Sequence, residues 1–64
     1  MKYPNIKVKL VGTDGNAFAI LSKVRRALKQ AKVETSEIES FTKQAMSGDY
    51  DNLLRTCLCW VDVR

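Results

Sequence analysis

Apolar and polar residues alternate from Asn5 to Val11, with Ile6, Val8 and Leu10 on one face and Lys7 and Lys9 on the other. A period of two predicts a strand with one buried and one wet face. Pro4 stands at its start, where a missing N–H costs no ladder bond. Past the turn Gly12-Thr13-Asp14-Gly15-Asn16 the period lengthens: Ala17, Ile20, Leu21, Val24, Ala27, Leu28 and Ala31 make one apolar stripe at helical spacing. A helix from residue 17 to about Ala31 follows, capped by Asn16 or Asp14.

A second helix is predicted from Thr35 or Ser36, because Ser36 and Glu39 stand at capping-box spacing. Its inner face is Ile38, Phe41, Ala45 and Met46. Gly48 suits the position after a helix that needs positive φ, and Asp49 caps a third helix at once. Tyr50, Leu53, Leu54, Cys57 and Leu58 give that helix a tight apolar face toward the core. Trp60-Val61-Asp62-Val63 fits either a continued helix, through Val61, or a short strand; alternation and β-branching favour the strand. Pairing it with residues 5–11 would place Asp62 beside Lys7 or Lys9. The predicted architecture is an α+β domain of order β-α-α-α-β, with three helices packed on a short two-stranded sheet. Two strands alone leave open edges, which a homodimer joining sheets across a two-fold axis would cover.

At 64 residues there is room for one domain and one core, near the size at which help from oligomerisation becomes useful. The longest apolar run, Ala17 to Leu21, falls far short of the roughly 20 residues of a membrane span, and no export signal is read. Cys57 and Cys59 are spaced too closely to staple distant elements, so a reducing cytoplasm is the expected compartment. Charge is segregated. Residues 1–33 carry eight Lys and Arg against Asp14 alone, whereas residues 34–64 carry three against six acids. Such a chain can attract an anionic partner or pair head to tail with a copy of itself.

Candidate chemistry is sparse. Without histidine the chain lacks the commonest general base near neutral pH and any Cys-His pair, so no catalytic residue and no enzyme activity are expected. Cys57-Leu58-Cys59 could offer two thiolates to a metal shared across a dimer, but Cys57 as a small buried hydrophobe is the simpler reading. Neither a metal nor a cofactor is predicted. Gly12, Thr13, Gly15 and Asn16 could cradle a small anion at the helix start, yet the turn lacks the spacing of a phosphate loop or a dinucleotide fingerprint, and Asp14 would repel a phosphate. Glycines serving the turn and Asn16 or Asp14 serving as cap are the simpler explanation.

Phe18 falls off the apolar stripe, on a line with Ser22, Arg25 and Lys29 and flanked by Arg26 and Lys32. An aromatic among cations fits an acidic protein surface, with Phe18 as anchor, or nucleic-acid phosphates; simple solvation of a charged face is the plain alternative. The blocks VKLVGTDGNAFAIL, SGDYDNLLRT and CWVDV resemble those of short uncharacterised proteins of bacteria and their phages. What the resemblance implies is a small accessory protein, with phage derivation left open. The leading expectation is a non-enzymatic regulatory or inhibitory module that recognises a protein partner, or a second copy, through helix 17–31. Nucleic-acid binding by the same helix and capture of a small anion at the Gly12–Asn16 turn are the alternatives.

Overall fold

A computed structural model describes residues 2–10, 12 and 15–64. The elements run β1 (Tyr3–Val8), α1 (Ala17–Gln30), α2 (Thr35–Ala45), α3 (Tyr50–Trp60) and β2 (Val61–Val63). The order is the one the periodicities imply. β1 and β2 form a two-stranded parallel sheet. The two strands are joined by residues 9–60, which supply the long crossover that parallel pairing needs.

β1 begins earlier than the alternation suggests. Its register with β2 pairs Tyr3 with Val61, Lys7 with Asp62 and Val8 with Val63, so the ladder is irregular between Tyr3 and Lys7. Pro4 lies in that gap, where it has no N–H to donate. The pairing continues on both sides: Lys2 N–H donates to the Cys59 carbonyl at 2.8 Å, Arg64 N–H to Val8 at 2.7 Å and Leu10 N–H to Arg64 at 2.6 Å. Asp62 does stand opposite Lys7, but its carboxylate pairs with Arg64 at 3.2 Å. Val11 lies outside the described residues.

α1 starts where Asn16 Oδ1 accepts the Phe18 N–H at 2.8 Å. Ile20, Leu21, Val24 and Leu28 are buried and Ala27 half-buried; Ala17 and Ala31, at the two ends of the stripe, overhang the core and are exposed. The helix closes with Lys32 N–H donating to the Lys29 carbonyl and Val33 N–H reaching back to Leu28, both at 3.0 Å. These are the two bonds of a Schellman motif, and Lys32 takes the left-handed position at φ 64.

α2 starts at Thr35, the earlier of the two expected positions. Val33 packs against the core and Glu34 is extended, so Glu34 is the N-cap and Ser36 already lies inside the helix. The Ser36–Glu39 capping box therefore does not form, and no side chain caps α2. Asp49 behaves as predicted, accepting the Asn52 N–H at 2.9 Å. Asn52 in turn donates through Nδ2 to the Gln44 carbonyl at 2.9 Å, closing the end of α2 from the start of α3. Gly48 is not needed for positive φ. A Cβ there would lie 3.0 Å from Asn52 Cβ, so close approach of backbone to side chain is what a glycine permits.

The inward face of α3 is Leu53, Thr56, Cys57 and Trp60. Trp60 sets this rotation: it stacks edge-on to Phe41 with ring centroids 5.5 Å apart, and its Nε1–H donates to Gln44 Oε1 at 3.2 Å. Tyr50 and Leu58, expected inside, are consequently turned out, while Leu54 is half-buried. Met46 is exposed as well, because α2 ends at Ala45 and the next residue leaves the stripe. Thr56 is buried at no hydrogen-bonding cost, since its hydroxyl donates to the Asn52 carbonyl at 2.7 Å.

Candidate functional site

α1 carries the cations as its pattern requires. With Ile20, Leu21, Val24 and Leu28 turned inward, Phe18, Ser22, Arg25, Arg26 and Lys29 are exposed, as is Lys32 in the following turn. At about 100° per residue, Arg25 and Lys29 stand within roughly 20° of the direction of Phe18. The three form a single flank of the helix. Lys2–Glu37 and Arg64–Asp62 are the ion pairs formed between described residues, so Arg25, Arg26, Lys29 and Lys32 meet no acid of their own chain there.

Two grooves are lined by residues of both α1 and α2. The first, about 190 Å³, is bounded by Phe18 and Leu21 of α1, Ala45 and Met46 at the end of α2, Asp49 at the cap of α3, and Tyr50 and Leu53 of α3. Its lining is almost wholly apolar, and Phe18, Met46 and Tyr50 on its rim are 66%, 55% and 42% exposed. The second, about 390 Å³, lies between Ser22, Arg25, Arg26 and Lys29 on the α1 side and Thr35, Ile38 and Glu39 on the α2 side. Glu39 is its only acid. A third groove, on the other side of α1 against β1, brings Lys7 and Lys9 beside Lys23 and Arg26.

The structure thus places Phe18, Ser22, Arg25, Arg26 and Lys29 on one surface and Lys32 at its end. Sequence spacing misses Met46 and Tyr50, which were assigned to the core, and it misses that Phe18 has apolar company. It also gives no hint that Lys7 and Lys9 approach α1, since that proximity arises only when β1 packs on the helix.

Of the anion-binding candidates, Gly12 is left-handed at φ 81 and Asn16 serves as the α1 cap. The Gly15 carbonyl accepts the Tyr50 hydroxyl at 2.8 Å, tying the turn to α3. Thr13 lies outside the described residues, as does Asp14. Cys57 is fully buried, and burial pushes its thiol up to about 11, so it remains protonated and unreactive at neutral pH. Cys59 is exposed.

A further cluster holds β1 to the helices. Lys2 Nζ meets Glu37 Oε1 at 2.9 Å, the Tyr3 hydroxyl donates to the same oxygen at 3.1 Å, and Lys2 stands 4.3 Å from the centre of the Trp60 ring. These bonds hold the Glu37 carboxyl below its ordinary value, the Lys2 ammonium first and the Tyr3 hydroxyl second. Partial burial, then Glu37, pushes the Tyr3 phenol up. The Lys2 ammonium, the Tyr3 hydroxyl and Glu37 Oε1 satisfy one another, which makes the cluster a structural fastening.

No family model, curated protein or solved structure matches the chain. No helix among the described residues is long and apolar enough to cross a membrane.

Proposed function

We propose that the protein is a non-enzymatic binding module, a small regulatory or inhibitory protein that recognises an acidic protein surface through α1. One observation carries this reading: exposed Phe18 shares a helix flank with Arg25 and Lys29, cations that no described acid of the chain neutralises. Cations left to solvent within one structure are available to steer and orient an anionic partner, and an aromatic beside them supplies buried area on docking. Affinity purification from the native host should recover an acidic protein with the wild-type chain and lose it with Arg25→Glu. Retention of every bound protein by the variant would remove α1 as the recognition surface.

Nucleic-acid binding is the second reading. It is favoured by the groove between β1 and α1, where Lys7 and Lys9 extend the cationic surface past Arg26. Phosphate contacts release counterions and weaken steeply as salt rises, so a gel shift at two salt concentrations separates the readings. No shift at low salt eliminates it.

A further inference from the structure

Resting on the α1 reading, we infer that the partner is an acidic amphipathic helix whose apolar side chain enters the groove between Phe18, Met46 and Tyr50 while its carboxylates lie along Arg25 and Lys29. Three features of the surface lead to this occupant.

Size is the first. A volume of about 190 Å³ is below the roughly 300–1,000 Å³ of a small-molecule site, and the lining is nearly all apolar, with Asp49 its one charged residue. One or two aliphatic side chains fit. Exposure is the second. Of the large hydrophobics that stand exposed among the described residues, Phe18, Met46 and Tyr50 meet at this groove, and only Leu58 lies elsewhere. Charge is the third. Phe18, on the rim of the apolar groove, shares its flank of α1 with Arg25 and Lys29, which line the cationic groove. An occupant anchored at Phe18 therefore extends over cations, and carboxylates complement them.

Spacing then fixes the partner's pattern. Arg25 and Lys29 are seven and eleven residues from Phe18, or roughly 10 and 16 Å along α1 at 1.5 Å per residue. A helix lying beside α1 reproduces those intervals with an apolar residue followed by carboxylates seven and eleven positions away, all on one stripe. This is docking of an amphipathic helix in a groove, with charge setting its direction. An extended segment, rising about 3.3 Å per residue, would cover the same intervals with residues three and five positions on, which strand alternation turns to the face opposite the apolar anchor.

The test titrates the full 64-residue chain, isotope-labelled for NMR, with three helical peptides of 16 residues. One carries leucine with glutamates seven and eleven positions on; the second has serine for leucine; the third has glutamines for the glutamates. The leucine–glutamate peptide should shift the amides of Leu21, Ala45, Gly48 and Leu53 together with those of Arg25 and Lys29. The serine and glutamine peptides should each bind at least tenfold more weakly. Phe18→Ser and Met46→Gln, both at exposed positions, should erase the preference for leucine over serine, and each is checked for an unchanged melting temperature so that loss of fold is not read as loss of the groove.

Equal binding of the leucine and serine peptides overturns the groove inference and leaves the α1 reading standing. Absence of any α1 shift with both glutamate peptides overturns both. A doubled light-scattering mass that Met46→Gln restores to one chain would assign the groove to a second copy and overturn the proposal.

Discussion

Lys32 occupies a backbone conformation, φ 64, that glycine adopts without steric cost and that an L side chain resists by roughly 1–2 kcal/mol. It does so because the two carbonyls ending α1, those of Leu28 and Lys29, are satisfied only if the chain turns left-handed there. Lys32→Gly should therefore raise stability by about 1 kcal/mol, which in a domain of this size is a gain of about 4–8 °C in Tm. A lower Tm on thermal denaturation would show that the lysine side chain contributes more than its backbone costs. Glu37 is the other informative single residue. Its folded-state carboxyl titrates below the ordinary 4.5, so its contribution is complete above that value and is lost as pH falls through the folded value. Tyr3 has the opposite sign: its phenol is raised above 10.0, so its contribution holds below 10.0 and fades as pH rises through the folded value. Urea midpoints of wild type and Glu37→Gln should differ at pH 7 and differ by less at pH 3; a gap of equal size at both would exclude the Lys2–Glu37 bond as its source.

At the scale of elements, the three helix starts use different solutions to the same problem of unpaired N–H groups. α1 has Asn16 and α3 has Asp49, each with a side-chain oxygen on a first-turn N–H, whereas α2 begins at Glu34 without such a bond. Glu34 is already extended, at φ −61 and ψ 145, as an N-cap requires. Glu34→Asp keeps the charge and shortens the side chain to capping length, and should stabilise the fold by about 1 kcal/mol in thermal melts. No change would mean that water satisfies the α2 N–H groups equally well. The same comparison explains what the sequence could and could not reveal here. Asp49 was legible because a short acceptor directly precedes a helical run. Ser36 misled because Glu34, extended after the Schellman turn, takes the N-cap position two residues before it, and no residue type within 34–39 marks that.

Across the whole molecule, Trp60 is the residue on which the layers converge: Phe41 of α2 lies edge-on at 5.5 Å, Tyr3 of β1 is 5.9 Å away, and Lys2 covers part of the indole. Burying it decided which face of α3 points inward and so which apolar residues were left outside. The periodicities by themselves determined five elements in their order, the stripe of α1 that faces the core, and the outward display of Phe18, Arg25 and Lys29, because local spacing alone settles which side chains share a face. Only the tertiary structure decided that the strands run parallel, that Met46 and Tyr50 join Phe18 around one groove, and that Lys7 and Lys9 approach α1. Those outcomes depend on how far each helix rotates to bury its largest side chain, a competition among distant residues that no local pattern records.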